Sequence, residues 1–142
     1  MAYSAMQVAN AFIRRQIPDL TPMKLQKLMF LAQSWYLKNH EARLIDDTFY
    51  RWDYGPVIPS IYYEFKSYGG NQIKTFARDS TGENVNQELE PFDEQFIDNI
   101  IADYGQYSGW ELSDLTHQRG TAWSNGPIGT IITEWDMYDS KL

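Results

Sequence analysis

The chain has 142 residues, no cysteine and only two histidines. Without thiols there is no disulfide frame, no thiolate nucleophile, no zinc finger and no iron–sulfur cluster. His40 and His117 alone fall short of the three protein ligands a catalytic zinc ordinarily takes, and no HExxH spacing supports one, so no metal site is expected. Long apolar runs are missing as well, and nothing approaches the roughly 18 residues of a membrane span. The N-terminal Met1-Ala2-Tyr3-Ser4-Ala5-Met6 has no basic region leading into an apolar one. The expectation is therefore a cytoplasmic chain with no targeting leader and no membrane partner. No GxxxxGK[ST] loop occurs, and Gly105, Gly109 and Gly120 are too scattered for a dinucleotide fingerprint, so no cofactor is expected. Positive charge is scarce: 12 Lys/Arg face 19 Asp/Glu, for a net charge of −7. That balance argues against direct nucleic-acid binding, which rests on neutralising phosphates.

Aromatic residues, by contrast, are plentiful. Five Trp, ten Tyr and seven Phe can build an apolar core and argue against disorder. The length fits one domain over residues 1–142, able to bury roughly 68–70% of its unfolded surface. The charge is unevenly spread. Residues 1–77 hold nine Lys/Arg and six Asp/Glu, whereas residues 78–142 hold three and thirteen, so +3 adjoins −10. Two readings stay open here: two solvated surfaces, or an acidic face for a basic partner.

Helix signals run along most of the chain. Ser4 is a suitable N-cap before Ala5, Val8, Ala9, Phe12 and Ile13, and Pro18 closes that segment. Thr21-Pro22 begins a second helix whose stripe is Leu25, Leu28, Met29, Ala32, Trp35 and Tyr36. Met23, Phe30 and Leu37 widen its apolar surface, which predicts a central helix contacted on several sides. Lys24, Lys27 and Lys38 are expected on what polar surface remains, and His40 near the negative pole of the helix dipole. Thr48 to Trp52 reads as a short strand, Asp53-Tyr54-Gly55-Pro56 as a turn, and a third helix follows from Pro59 to the Gly69-Gly70 stop. Gln72–Ala77 is a candidate second strand pairing with the first, followed by a polar loop over residues 78–90. Phe92 to Tyr104, then Ser108-Gly109-Trp110-Glu111 as a capping box, then Thr133 to Tyr138 supply the remaining helices. The predicted fold is mainly α: a single-domain helical bundle of about six helices with a minor two-stranded β element.

Catalytic constellations are thin. Ser113, Asp114 and His117 lie within one helical stretch, but Ser113 points about 100° away from its neighbour Asp114, which suits no triad. An Asp114–His117 surface pair, or a His117 packed against the core, is the plainer expectation. Glu64 and Glu111 stand among aromatics, with a solvated edge and a capping role as their plain readings. Nothing in the residues demands an enzyme. Recognition is better supported, because Trp52, Tyr54, Tyr62, Tyr63 and Tyr68 cluster within seventeen residues. Tyr and Trp dominate binding hot spots but also serve as core. Tyr63 and Tyr68 are the ones expected at the surface.

Three segments carry a family resemblance. The first is Met23-Lys24-Leu25-Gln26-Lys27-Leu28-Met29-Phe30-Leu31-Ala32-Gln33-Ser34-Trp35-Tyr36-Leu37. The second runs from Trp52-Asp53-Tyr54-Gly55-Pro56-Val57-Ile58-Pro59-Ser60-Ile61-Tyr62 through Glu64-Phe65-Lys66 to Tyr68-Gly69. The third is Tyr104-Gly105, Ser108-Gly109-Trp110-Glu111-Leu112-Ser113-Asp114-Leu115-Thr116-His117, then Gly120 to Trp123. In order and spacing they resemble the Panacea domain. The resemblance implies a mostly helical domain, common on phages, prophages and mobile elements. It also implies an antitoxin that neutralises a toxin by direct protein contact, and the cognate toxin is expected to be the product of an adjacent gene. One branch of the family resembles a proteolysis adaptor that hands its toxin to a bacterial protease. A phage protein acting on host defence is a further alternative. The family implies no catalytic residue and no cofactor, and it leaves the oligomeric state open.

The signature spans nearly the whole chain, so no appended arm is expected and the globular surface itself becomes the candidate contact. Charge and aromatic placement nominate Trp52, Tyr54, Tyr63 and Tyr68 around the turn, and Glu111, Asp114 and His117 in the acidic third. Leu28→Asp is expected to abolish cooperative folding, read by circular dichroism, because an unpaired charge would enter the core. A soluble, cooperatively melting variant would contradict that placement. Lys24→Ala is expected to cost little unless Lys24 contacts a partner.

Overall fold

Four of the six helices among the described residues begin where a hydroxyl accepts a free backbone N–H of the first turn. In the computed structural model, which describes residues 2–142, Ser4 does so for Gln7 and opens α1, Ala5–Ile13. The domain boundary expected at Met1 lies outside the described residues. Thr21 accepts from Lys24 and opens α2, Pro22–His40, with Pro22 in the first turn. The hairpin strands β1 (Phe49–Trp52) and β2 (Gly55–Val57) lead into α3, Pro59–Phe65. A single 3-10 turn, Lys66–Tyr68, extends α3 to Gly69. Then come α4 (Pro91–Tyr104), α5 (Gly109–His117), β3 (Ile131–Ile132) and α6 (Glu134–Tyr138). Ser108 with Glu111, and Thr133 with Asp136, complete reciprocal capping boxes on α5 and α6. The expected mainly helical class, with six helices among the described residues, is what the chain adopts.

The sheet differs from expectation. It has three antiparallel strands in the order β2-β1-β3, with Tyr50 opposite Val57 on one side and opposite Ile131 on the other. Gln72–Ala77 is not a strand. Its backbone bonds elsewhere: Ile73 N–H donates to the Leu20 carbonyl and Ala77 N–H to the Asn10 side chain. With both edges of β1 occupied, this segment cannot pair with the strand it was expected to join. It is pinned by amides instead. Asn10 Nδ2 reaches the carbonyls of Ala77 and Val85, and Gln72 bridges Leu20 N–H and the Ile17 carbonyl.

α2 runs through the centre, packed against α1, α3, α4, α5, α6 and β2. Leu25, Leu28, Met29, Phe30, Leu31 and Ala32 are fully buried on it, against Phe12 of α1 and Phe49 of β1. The lysines are a correction. Lys24 and Lys27 are 2% and 1% exposed, and Lys38 is half-buried. A helix enclosed on all sides has no solvent face for them. Each therefore donates to the backbone of another element. Lys24 Nζ binds the carbonyls of Pro18 (2.9 Å) and Gly105 (2.6 Å), capping the C-terminal end of α4. Lys38 Nζ binds the carbonyls of Met137 and Leu142 and so caps α6. Lys27 Nζ donates to the Pro56 carbonyl of β2 at 3.2 Å. Lys24→Ala would remove the donor to two carbonyls and is expected from this structure to destabilise the fold rather than cost little.

Burial pushes Lys27 down to about 7 and Lys38 down to about 8, and it lowers Lys24 as well. Above about pH 7 for Lys27 and about pH 8 for Lys38 the folded chain sheds a proton that the unfolded chain keeps up to 10.5, so stability rises with pH across that window. Tyr3 and Tyr36 act in the opposite sense. Burial, reinforced by hydrogen bonds to Asp93, pushes both up to about 12, so the gain reverses above the ordinary tyrosine value of 10.0. The thermal midpoint is expected to climb from pH 7 towards 10 and then fall. Lys27→Met should flatten the climb most. A midpoint that declines steadily from pH 7 would refute the assignment.

Candidate functional site

The β1–β2 hairpin turns through Asp53 and Tyr54, with Trp52 opposite Gly55. Gly55 takes φ +115°, which side chains disfavour, and lies directly over Lys27. A Cβ there would sit 2.6 Å from Lys27 Cε and 2.9 Å from Thr116 Oγ1. The turn is also fastened to α5. Ser113 Oγ donates to the Tyr54 carbonyl at 2.7 Å, and His117 Nε2 lies 3.0 Å from the Asp53 carbonyl. The other ring nitrogen of His117 faces the Ser113 carbonyl. Trp123 packs on the His117 ring at 3.9 Å and donates its indole N–H to the Trp52 carbonyl. Ser113 and His117 therefore position a loop. Asp114 is exposed and forms no hydrogen bond or ion pair with His117, so of the two expectations the surface pair does not form, and His117 is instead half-buried against Trp123.

The turn carries an exposed aromatic surface. Tyr54 is 59% exposed and Trp110, in the first turn of α5, 62%. Their rings meet edge to face at 5.4 Å. Trp52 packs on Tyr62 at 5.0 Å, and Tyr62 on Tyr63 at 5.4 Å, with Lys66 Nζ over the Tyr63 ring. Between α2, the turn and α3 opens a cleft of about 480 Å³, walled by Met23, Trp52, Tyr54, Val57, Tyr62 and Ile128. Contiguous exposed aromatics beside a cleft are what a protein-binding surface presents.

Of the nominated residues, Trp52, Tyr54 and Tyr63 share this surface. Tyr68 does not stand free: it is half-buried against the core, with its hydroxyl on Thr75. Glu111 accepts from Ser108 N–H in the α5 capping box and stays exposed. Asp114 lies one turn after Trp110 on the outer face of α5. Trp110 and Ile128 are part of the surface without having been nominated. Trp110 could have been found: the buried stripe Gly109, Leu112, Ser113, Thr116 excludes it from the core. Nothing local marks Ile128, whose position depends on Arg51.

The charge asymmetry is partly consumed inside the fold. Arg14 and Arg15 pair with Glu94, Arg15 also with Asp98, Arg43 with Glu134, and buried Arg51 with Asp136. Arg51 in addition donates to the carbonyls of Ala122, Trp123 and Ile131. The basic half thus neutralises part of the acidic half. Among the described residues, Asp53, Glu111 and Asp114 are carboxylates without an ion pair that stand beside the exposed rings. No helix among the described residues is long and apolar enough to cross a membrane.

The family described as "Antitoxin SocA-like, Panacea domain" matches residues 25–124. Antitoxin SocA of Caulobacter vibrioides (strain NA1000 / CB15N) is 27% identical over 135 residues, covering 87% of this chain and 71% of that protein. No solved structure matches.

Gly55→Ala tests the platform. A positive φ and a Cβ within 3 Å of buried groups should destabilise the fold by at least about 2 kcal/mol, read in urea unfolding. An unchanged midpoint would mean that the turn does not rest on Lys27.

Proposed function

We propose, for a chain that belongs to the SocA-like Panacea domain family of antitoxins, that it neutralises a cognate toxin by direct protein–protein binding. The observation that carries this reading is the aromatic surface of Tyr54, Trp110, Trp52, Tyr62 and Tyr63 around the cleft. Half or more of several large rings faces solvent, at a cost that a monomer without a partner has no reason to bear. The backbone beneath is held by Ser113, His117 and Trp123, so little ordering entropy is lost when a partner docks. The acidic surplus of residues 78–142 suits a toxin with a basic surface and would speed encounter.

Co-expression with the product of an adjacent gene should restore growth and yield a stable complex on co-purification. Binding and rescue without a change in toxin half-life is the expected outcome. A shortened half-life would replace steric neutralisation by delivery to a protease. No complex and no rescue with any neighbouring product would refute the antitoxin reading for this chain.

A further inference from the structure

The Tyr54–Trp110 corner has a chemistry narrower than general stickiness. The two rings stand at 86° to each other with centroids 5.4 Å apart. Each is more than half exposed, so ring surface remains open to a ligand. Aromatic faces are electron-rich and attract cations. A carboxylate accompanies each ring: Asp53 precedes Tyr54 in the turn, and Asp114 follows Trp110 by one helical turn. Both carboxylates are exposed, and neither has an ion-pair partner among the described residues. The nearby cations are committed. Lys66 lies over Tyr63 at the far side of the cleft, and Lys27 is enclosed beneath Gly55 and bonded to Pro56.

We propose that this corner seats an arginine side chain of the toxin, its guanidinium lying against the two rings and paired with Asp53 and Asp114. The inference rests on the toxin-binding reading and adds the chemistry of the contact. An anionic group would meet two carboxylates. An apolar anchor would cover the rings but strip water from two unpaired charges. A lysine would offer a point charge, whereas a guanidinium both stacks on a ring and forks to carboxylate oxygens. Both rings ride on α5, directly for Trp110 and through Ser113 and His117 for Tyr54, so the seat is preformed.

The test uses the chain of residues 1–142 and the purified toxin encoded beside it, with binding followed by surface plasmon resonance. Trp110→Ala should weaken binding about 30-fold. The double variant Asp53→Asn, Asp114→Asn should slow association about tenfold at low salt and remove most of its salt dependence. Thermal melting of both variants should match the parent, since all three side chains are exposed. An Arg→Met scan of the toxin should find one arginine whose loss adds nothing further in the Trp110→Ala background. If the parent chain binds the toxin but these variants bind equally well, the arginine seat is refuted and the toxin-binding reading stands. The seat is likewise refuted if the coupled residue of the toxin is not an arginine. A parent chain that binds no neighbouring product refutes both.

Discussion

Three ammonium groups on one buried helix set the terms for the rest of the structure. Lys24 and Lys27 of α2 are removed from bulk water, Lys38 is half-buried, and carbonyl oxygens of other elements accept hydrogen bonds from all three. An unsatisfied buried ammonium would be prohibitive, so those carbonyls must arrive where the lysines can reach them. The ends of α4, β2 and α6 are held in this way. Gln26 and Gln33 extend the scheme with neutral amides: Gln26 bonds both N–H and C=O of Ile58, and Gln33 bonds Leu44 and Ile45. α2 is thus at once the apolar core and the template on which loop backbones are satisfied.

The recognition surface inherits this arrangement. Its turn approaches α2 so closely that only a glycine fits over Lys27, and α5 holds the same turn from the side through Ser113 and His117. A hairpin of two short strands would be marginal alone. Fastened from beneath and from the side, it can expose Tyr54 without moving. Arg51 plays a similar part for the segment after α5. Its guanidinium gathers the carbonyls of Ala122, Trp123 and Ile131 and the Asp136 carboxylate, which brings Ile128 to the rim of the cleft. Gly126 is required there, because a Cβ would lie 2.7 Å from the Arg51 guanidinium carbon.

Much of the fold could be read from local pattern. Ser4, Thr21, Ser108 and Thr133 marked helix starts correctly, because a cap depends only on residues within the first turn. The centrality of α2 followed from apolar residues on several of its sides. The lysines misled, since a charged side chain on a helix usually means solvent, and only the positions of distant carbonyls reveal a buried donor. The Gln72–Ala77 segment misled for a related reason. Its pattern suits a strand, but β3 from the far end of the chain occupies the edge it would have needed.

The sequence by itself determined the helical class, the helix starts, the aromatic turn and the lack of thiol chemistry, all of which rest on composition or on short-range spacing. The family signature likewise resides in contiguous segments. Tertiary structure alone decided which charges remain free and which aromatics face outward together. Arg14 meets Glu94, Arg51 meets Asp136 and Tyr54 meets Trp110 across dozens of residues. Such pairs depend on packing geometry around α2, which no window of neighbouring residues encodes. The −7 of the chain says nothing of place: folding pairs Arg14, Arg15, Arg43 and Arg51 with acids of the second half and, among the described residues, leaves Asp53, Glu111 and Asp114 without an ion pair around the turn.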